Sequence, residues 1–596
     1  MSEPLQETAP WRPGVAVGAG AFALYVLTAA REPQFGDGLE FVAAAAIGGV
    51  PHPPGYPLLM MLLWPFAEGP GAYFRCTLVC AVIAAVAAGL VTRLAMRSLL
   101  AFPDAKRPAL VGRWLPVAAG AVAAFSASLW SSATGVEAYG LNAALLAGSL
   151  LLLTGDMAKP LEGKRLFAAG LLAGLGACNH LTSLCVAPLL AWRMVQTART
   201  SGGTARWRGP ALAVLGGVLG LLPLLYLPLR AAAEPAINWG GADSWEGLRW
   251  MLSGGDFKRG QFLQLRAGTP FTLGTWLAFA GQRVMLLVLG LGGEVLGGLG
   301  QLRGLAFAAA AVIGLLGWGA AAWGARLRWT QGKSAALALA APAVLQLLFI
   351  FLYNIPDISD YLLGVWVALV PMLLPGAAAG LDALARTFGY GDAPEKSNRL
   401  LLAFAAPVVL AFLSNYGAAN RAGNALCGAW IDRVVAALPE NAVLLTHADY
   451  DTYSMWYAQQ AEGRRRDVLV VAGNFLRYEW YGRMLPTPEE DPAGRVAHTE
   501  PGDVFTARFT ARDHVAMLSR SAITPNLGRV PVVTTTVPDG WNDEMLGLLP
   551  RSFEMKPLAA LLTPEEAEYM AVEYPVIAPP LLVEIVETLD PGVSLP

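Results

Sequence analysis

Residues 35–57 read FGDGLEFVAAAAIGGVPHPPGYP and come directly after the first long apolar run of the chain. This stretch combines two acids, Asp37 and Glu40, with His52 and four prolines. Proline removes a backbone donor and fixes φ, so residues 52–57 are predicted to form a rigid, non-helical turn. Irregular backbone beside a membrane helix is tolerated where it lines a cavity or is buried in protein. The stretch therefore predicts a cavity wall at the edge of the first helix.

The composition around this stretch is that of a membrane protein. Of 596 residues, 55% are hydrophobic and 14% are charged, whereas soluble domains carry about 25% charged residues. The net charge of -2 and the lack of long charge runs argue against nucleic acid as a partner. The five cysteines fit neither a disulfide framework nor a zinc site. The first apolar run has no clear small-residue cleavage site, which favours a retained helix over a cleaved signal peptide.

The apolar runs predict a polytopic α-helical protein with about 11 transmembrane helices, since each crossing of the hydrocarbon needs roughly 20 residues. Clusters of arginine and lysine lie between these runs, and the positive-inside rule makes them cytoplasmic. On this count the N-terminus is cytoplasmic and the chain after about residue 416 is outside. Residues 58–66 and 273–299 must then not cross, and the first of these fits a short interfacial helix. The predicted spans lie near residues 14–30, 74–99, 114–131, 138–155, 166–178, 181–197, 210–230, 303–324, 335–353, 361–383 and 399–415.

The part of the chain after the last span has the composition of a soluble protein. The run NAVLLTHADYDTYSMWYAQQ, at residues 441–460, places a short β-rich segment before a helical pattern. We therefore expect a transmembrane domain over residues 1–415 and an extracytoplasmic α/β domain over residues 416–596. On this topology, the outer segments of the transmembrane domain are residues 31–73, 132–137 and 231–270.

Asp37, Glu40 and His52 are the first candidates for chemistry. The two acids lie three residues apart, so a helix that starts near Asp37 places both on one face of its first turn. An ionisable group at membrane depth is a functional hypothesis by default. A helix cap followed by an interfacial acid is the simpler alternative for the two carboxylates. For His52 the alternative is a packed, hydrogen-bonded histidine.

Further candidates lie at the outer ends of other predicted helices. Glu137 and Tyr139 begin a helix, where an acid also complements the helix dipole and a tyrosine also belongs to the interfacial aromatic belt. Asn179 and His180 lie at the next outer junction, with a polar interhelical hydrogen bond as the alternative.

The seventh predicted span ends at Arg230, which either snorkels to the interface or holds an anionic phosphate. Asn238 and Trp239 lie in the following outer loop and are groups that bind sugars or anchor a loop at the interface. A P-loop, a G-x-S-x-G elbow and an H-E-x-x-H sequence are absent from the chain.

Taken together, these segments resemble the bacterial relatives of the animal transmembrane O-mannosyltransferase family that modifies IPT domains of plexin-type receptors, within the GT-C glycosyltransferase superfamily. The resemblance runs along nearly the whole chain. The matching segments are D-G-L-E-F (37–41), H-P-P-G-Y-P-L (52–58), W-S-S-A-T-G-V-E-A-Y-G-L-N (130–142), N-H-L-T (179–182), Y-L-P-L-R (226–230), P-A-I-N-W-G (235–240), T-H-A-D-Y-D-T-Y (446–453) and R-R-R-D-V (464–468).

The resemblance implies a GT-C membrane enzyme that takes a sugar from a lipid phosphate and transfers it on the outer face. Asp37 falls where the family carries its loop acid, the implied general base toward an acceptor hydroxyl, with Glu40 as the second candidate. Glu137 is implied to orient the acceptor or to assist Asp37. His52 and Arg230 are our candidates for stabilising the leaving phosphate. The remaining candidates for donor or acceptor binding are Tyr56, Tyr139, Asn179, His180, Asn238 and Trp239.

No metal site is predicted and no cofactor is strictly required, because a lipid phosphate is already a competent leaving group. Family members often read G-D-N-D-T-Y where this chain has H-A-D-Y-D-T-Y (447–453), which leaves the role of this turn open. Asp449 and Asp451 offer oxygen ligands to a divalent cation, although two carboxylates are few for that. A structural or acceptor-recognition role is the favoured interpretation.

The predicted function is an inverting transfer of a sugar, implied to be mannose, from polyprenyl phosphate to an acceptor hydroxyl in the bacterial inner membrane. Protein Ser/Thr is the favoured acceptor, with a lipid or a glycan as alternatives. A transporter or lipid-flipping protein would show repeats and broken helices in two matching halves, a symmetry that the hydropathy pattern lacks. A scaffold with a degenerate site is the third alternative, against which the presence of both Asp37 and Glu137 argues.

Overall fold

In a computed structural model, the protein consists of a bundle of helices followed by a mixed β-sheet. The predicted fold class, a polytopic helical membrane protein with a C-terminal α/β domain, is confirmed. The structure describes residues 11–101, 109–255, 257, 272–296, 304–353, 355, 358–387, 394–486, 490–491, 493–497, 518–535, 553–567 and 581–587. Residues 258–270 of the predicted outer loop and residues 297–299 lie outside the described residues.

Seventeen α-helices precede the sheet domain among the described residues. They are α1 (Trp11–Thr28), α2 (Asp37–Ile47), α3 (Pro57–Leu63), α4 (Ala72–Leu100), α5 (Ala109–Ala124), α6 (Ala127–Thr134), α7 (Tyr139–Leu153), α8 (Gly163–Ala177), α9 (Ala187–Thr200), α10 (Arg208–Gly220), α11 (Tyr226–Ala231), α12 (Trp245–Leu252), α13 (Leu273–Leu296), α14 (Leu305–Gln331), α15 (Lys333–Leu352), α16 (Leu362–Thr387) and α17 (Pro394–Ala419).

Six helical segments within the described ranges are long and apolar enough to cross a membrane, and a seventh span results if α5 and α6, bent by 55°, count as one. The expected count of about 11 is therefore not confirmed. The helices α7 and α8 have 15 residues each, which is fewer than the roughly 20 residues that the hydrocarbon requires. For α7, which is almost entirely buried, hydropathy alone is ambiguous because a buried bundle helix is as apolar as a membrane-crossing one.

The predicted topology requires that residues 58–66 and 273–299 do not cross the membrane, and the helices in these two segments differ in length. The helix α3 has seven residues, is followed by a 3-10 turn over Trp64–Phe66, and at 1.5 Å per residue is too short to span. Its short, non-spanning form agrees with the prediction. By contrast, α13 has 24 residues and is long and apolar enough to cross, so its exclusion is not confirmed.

The helix α2 owes its sharp end to a glycine and an arginine. Gly48 adopts φ 61°, in the left-handed region, and its N–H bonds to the carbonyls of Ala44 and Ala45. Such a residue at a helix C-terminus is usually glycine, which has no Cβ to oppose this conformation. The Arg230 guanidinium donates to the carbonyl oxygens of Ile47 at 2.9 Å and Gly48 at 2.6 Å. Arg230 therefore caps α2 and fixes where the proline turn begins.

The C-terminal domain contains a five-stranded sheet among its described residues. Its strands are β1 (Val443–Thr446), β2 (Leu469–Ala472), β3 (Val532–Thr534), β4 (Phe553–Ala560) and β5 (Leu581–Glu587), in the order β2-β1-β3-β5-β4. The strand β1 lies between β2 and β3 and runs parallel to both, whereas β5 pairs antiparallel with β3 and β4. The described helices of this domain are α18 (Leu426–Ala437), α19 (Asp449–Trp456) and α20 (Glu479–Gly482).

The C-terminal domain packs directly on the first outer segment. The helix α19 contacts α2, and the ring of Phe35 lies 5.9 Å from that of Tyr450 and 6.0 Å from that of Trp430. Trp430 is fully buried, in a core cluster that is shared with α2 and β1. A continuous apolar core therefore holds the sheet domain against the helix that begins at Asp37.

Candidate active site

Asp37, His52 and Glu40 form a chain of three interacting side chains. Oε1 of Glu40 accepts the backbone N–H of His52 at 3.1 Å, and Oε2 of Glu40 contacts Nδ1 of the imidazole. On the other side of the ring, Nε2 lies 3.7 Å from Oδ2 of Asp37. Glu40 is fully buried and His52 nearly so, whereas the Asp37 side chain is 48% exposed. Asp37 is thus the acid of this chain that a substrate can reach.

The His52 turn is held in place from several directions. The backbone N–H of Val50 donates to the carbonyl of Ile237 at 2.8 Å, and the N–H of Trp239 donates to the carbonyl of Val50 at 3.1 Å. The ring of Phe41 stacks on the imidazole with a centroid distance of 5.4 Å. These contacts, together with the cap on α2, give the imidazole one orientation.

The two carboxylates control the charge of His52. Burial lowers the pKa of the imidazole, but the negative charges of Glu40 and Asp37 and the hydrogen bond to Glu40 outweigh that effect and raise the pKa to about 9. His52 is therefore an imidazolium at neutral pH. A fixed positive charge beside an accessible carboxylate is an arrangement that can stabilise an anion leaving from the same site.

Asp37 and His52 line a cavity of about 100 Å³. Tyr56 lies on the same side, and its ring is 5.2 Å from the imidazole. Another part of the wall is aromatic: Tyr361 lies 5.7 Å from Tyr139 and 5.0 Å from His180 between ring centroids. The described lining thus includes an acid, a cationic ring and several tyrosines from distant parts of the chain.

Of the residues predicted from the sequence, the structure brings five into this lining: Asp37, His52, Tyr56, Tyr139 and His180. Trp239 lies just behind them, 6.2 Å from His52 between ring centroids. Glu137 is half-buried at the start of α7. Its neighbour Val136 approaches α2 so closely that a Cβ at Gly38 would lie 2.9 Å from the Val136 carbonyl oxygen. The second outer turn therefore packs on the first turn of α2.

Three of the residues predicted to bind the donor or the acceptor form hydrogen bonds with backbone carbonyls instead of lining the cavity. The side chain of Asn179 is buried and donates to the carbonyl of Ala138 at 3.1 Å, and that of Asn238 donates to the carbonyl of Ala231 at 3.0 Å. Arg230 is the cap of α2. The contact of Asn179 corresponds to the polar interhelical hydrogen bond weighed as its alternative. The cap formed by Arg230 is neither of its two expected roles, and Asn238 braces the backbone.

The sequence makes Glu40 the second candidate for the general base, but the environment of its carboxylate does not suit that role. Because its carboxylate is fully buried against His52, it has no surface for an acceptor to approach. Its partners instead define a positioning residue for the imidazole. The i, i+3 spacing correctly placed both acids in the first turn of α2, but that spacing did not separate the accessible acid from the buried one.

Sequence reasoning missed the aromatic part of the lining. Tyr353 and Tyr361 flank the short polar turn between the predicted spans 335–353 and 361–383, and both line the cavity. The sequence contained an indication of this turn, since on the predicted topology it also joins two apolar runs at the outer side. It lacked the proline and histidine pattern that drew attention to the first loop.

Asp449 and Asp451 are the two aspartates weighed as ligands of a divalent cation, and the carboxylate of Asp451 has partners within its own domain. Asp451 is fully buried, and its carboxylate accepts the backbone N–H groups of His447, Ala448 and Thr452 at 2.9–3.0 Å and the hydroxyl of Thr535. Its oxygens are therefore already used within the domain. Within the described part of the chain, no three His, Cys, Asp or Glu side chains are grouped so that they hold a metal ion.

A larger cavity, of about 1140 Å³, lies beside the ends of α6, α13 and α17. Its lining includes Glu294, Asn415 and Arg421. None of the residues predicted from the sequence contributes to it. The residues capable of acid–base chemistry that the sequence singled out lie instead at the smaller cavity, so size alone does not locate the candidate site.

Comparisons with known proteins agree with the motifs at this site. Residues 37–202 match the family model described as the protein O-mannosyl-transferase TMEM260 N-terminal domain, and residues 430–492 match TMEM260-associated domain 2. Protein O-mannosyl-transferase TMEM260 of Mus musculus is 26% identical over 517 residues, which are 80% of this chain and 65% of the mouse protein. The chain thus spans slightly less than two thirds of the length of that relative. The family resemblance inferred from the motifs is confirmed.

Two solved structures are also similar over most of the chain. The structure of ArnT from Cupriavidus metallidurans bound to undecaprenyl phosphate aligns with a TM-score of 0.49 and 13% identity, and covers 96% of this chain and 97% of that one. The same protein in the apo state aligns with a TM-score of 0.48 and 14% identity over the same shares.

Proposed function

We propose that this chain, which is similar to protein O-mannosyl-transferase TMEM260, is a GT-C-type membrane glycosyltransferase. The proposed reaction transfers a sugar, with mannose as the first candidate, from a polyprenyl phosphate to a hydroxyl of a protein Ser or Thr. The printed name of the mouse relative supports the sugar and the acceptor class. The observation that carries the proposal is the pairing of an accessible carboxylate, Asp37, with the buried cation of His52 at one cavity.

In the proposed step, Asp37 is the general base. Its half-exposed carboxylate takes the proton of the acceptor hydroxyl while that oxygen attacks the anomeric carbon of the donor. The bond from the anomeric carbon to the phosphate oxygen breaks, and its electron pair leaves with polyprenyl phosphate. Attack from the face opposite to the leaving group inverts the anomeric configuration.

His52 and Glu40 would act on the charges around this step. The His52 imidazolium lies beside the base and offers a fixed positive charge toward a departing phosphate. Glu40 holds Nδ1 of the ring, so that Nε2 faces Asp37. The scheme routes no step through a metal, because a lipid phosphate departs as a stable anion. Tyr139 and His180 would bind the donor or the acceptor from the aromatic wall, with Glu137 close to α2.

We place the protein in the bacterial inner membrane, with its N-terminus cytoplasmic and its C-terminal domain extracytoplasmic. The distribution of arginine and lysine between the apolar runs supports this orientation. Two contacts agree with a common outer face: Trp239 stacks on Trp480 at 5.1 Å, and the N–H of Gly69 donates to the carbonyl of Ala461 at 2.7 Å. The outer segments and the C-terminal domain thus meet at one end of the bundle.

The experiment is transfer by the purified full-length protein from a panel of polyprenyl-phosphate sugars, with release of polyprenyl phosphate as the second readout. We expect the Asp37→Asn variant to lose about 100-fold or more of the transfer rate, as for the loss of a general base. Glu246→Gln is the matched control, because Glu246 is an exposed acid in the first turn of another outer helix. Full activity of Asp37→Asn would refute the base assignment. No release from any lipid-linked sugar would refute the proposed function and favour a transporter or a scaffold.

A further inference from the structure

Asp449 occupies a position in the C-terminal domain at which α/β proteins bind ligands. The strand β1 lies between two parallel neighbours, and α19 begins at Asp449, three residues after that strand ends. In sheets of parallel strands, ligands bind outside the carboxyl ends of the strands, where the following loops and helix starts meet. The Asp449 side chain is thus placed at the edge of the sheet that carries recognition in other folds.

The two aspartates of this turn differ in their partners. The Asp451 carboxylate is buried and accepts hydrogen bonds from backbone and from Thr535, so it maintains the turn itself. Asp449 is exposed, and among the described residues none forms a hydrogen bond or an ion pair with its carboxylate. The second acid of the turn therefore has its full hydrogen-bonding capacity available.

The first turns of α19 and α2 lie side by side. The helices contact each other, and Phe35, two residues before Asp37, packs its ring 5.9 Å from that of Tyr450, which follows Asp449. The electrostatics agree with this placement. Desolvation by the surrounding protein raises the pKa of the Asp449 carboxyl to about 7, and the negative charges of Asp37 and Glu40 also raise it. Asp449 in turn contributes to the raised pKa of His52.

We infer that the acceptor hydroxyl binds between Asp37 and Asp449, and that Asp449 orients it from the side of the C-terminal domain. This inference rests on the proposed function. Two carboxylates accept hydrogen bonds from hydroxyl groups and repel a phosphate, so the space between them suits a hydroxylated ligand rather than the lipid phosphate. Hydroxyl groups also occur on the donor sugar. The acceptor is the better fit because Asp449 belongs to the domain that packs on α2 at the ends of the apolar spans, whereas the lipid must bind along those spans.

The test separates acceptor binding from donor binding in the full-length protein. The probes are polyprenyl-phosphate mannose and a pool of synthetic peptides with one threonine each. For Asp449→Asn we expect the acceptor KM to rise about 10-fold or more, as for the loss of a hydrogen bond to a charged group. The donor KM and the release of polyprenyl phosphate into water should stay within about 2-fold of wild type. Asp449→Glu, which keeps the carboxylate, should recover part of the loss.

The control is Glu440→Gln, which removes an exposed acid of the same domain and should leave every constant unchanged. Asp449→Ser provides a second variant with a good residue for a helix start, and thermal unfolding checks that both variants are folded. An unchanged acceptor KM in both folded variants would overturn the inference, as would a rise in the donor KM alone. In either case wild-type transfer still supports the proposed function, whereas a wild type that releases no polyprenyl phosphate defeats the function itself.

Discussion

Nε2 of His52 lies 3.7 Å from Oδ2 of Asp37, while the opposite nitrogen of the same ring contacts the buried carboxylate of Glu40. One imidazole therefore connects an acid that substrates can reach with an acid that they cannot. The relationship assigns different tasks to two carboxylates only three residues apart. It also makes the charge of His52 depend on both of them.

Replacing Glu40 should change the ionisation of His52. In Glu40→Gln the buried negative charge is lost, so we expect the His52 pKa to fall from about 9 toward or below its ordinary value, because burial alone lowers it. The measurement is an NMR titration of labelled histidine in the purified protein, which has five histidines, with His52→Gln for assignment. Glu32→Gln, an exposed acid of the same loop, is the control. An unchanged His52 titration in Glu40→Gln would contradict this account of the charge.

The transfer rate should depend on pH through two groups with opposite slopes. Asp449, with a pKa raised to about 7, binds the acceptor hydroxyl more strongly once it has lost its proton, because a charged acceptor forms the stronger hydrogen bond, so the rate should rise through pH 7. His52, with a pKa raised to about 9, must keep its proton to face the phosphate, so the rate should fall near pH 9. Asp37, Glu40 and Asp449 are the charges that act on His52.

The rate of transfer at low acceptor concentration, measured between pH 5 and pH 10, should therefore follow a bell-shaped curve. In Asp449→Asn the rising limb near pH 7 should disappear while the falling limb stays. A rising limb that persists unchanged in this variant would assign it to another group.

The raised pKa of His52 also predicts a pH dependence of stability. A histidine whose folded pKa exceeds its unfolded value stabilises the fold fully below the unfolded pKa, near 6.5. That contribution is lost as the pH rises through the folded value of about 9. Thermal unfolding of wild type should therefore show a decline in Tm between about pH 6.5 and pH 9 that is smaller in His52→Gln. Equal declines in both proteins would show that His52 does not cause the effect.

Gly48 should tolerate no side chain. Alanine there would have to adopt a left-handed conformation, and its Cβ would lie 2.6 Å from the Arg230 guanidinium. We expect Gly48→Ala to lower the free energy of unfolding by about 1–2 kcal/mol from the backbone alone, with an added cost from the displaced cap. Gly20→Ala is the control, since a Cβ at Gly20 meets nothing within 4 Å. Equal unfolding temperatures of the two variants would contradict the cap.

Arg230→Gln distinguishes a helix cap from a phosphate ligand. Loss of the hydrogen bonds to Ile47 and Gly48 should lower the free energy of unfolding by about 1–3 kcal/mol, measured by thermal or denaturant unfolding. The donor KM should change by no more than about 3-fold, because the guanidinium is engaged with backbone carbonyls. A donor KM that rises strongly at unchanged stability would restore Arg230 as a phosphate-binding residue.

The local character of the chain was readable from the sequence. Hydropathy identified a membrane protein because apolar length is a property of each segment by itself. The proline run predicted a rigid turn because proline restricts its own backbone, and the short helix α3 after it was anticipated for the same reason. The predicted number of crossings is not confirmed, since α7 and α8 have only 15 residues each.

The different roles of the residues at the site depend on the tertiary structure. Only the packing of His52 against α2 makes Glu40 buried and leaves Asp37 accessible. Arg230 meets Gly48 across 182 residues of sequence, a contact with the end of α2 that the local sequence does not predict. Asp449 comes close to the first turn of α2 because its domain docks there. Composition, spacing and proline chemistry select the residues that are able to react, but exposure and partners depend on contacts between distant segments, and those exist only in the folded chain.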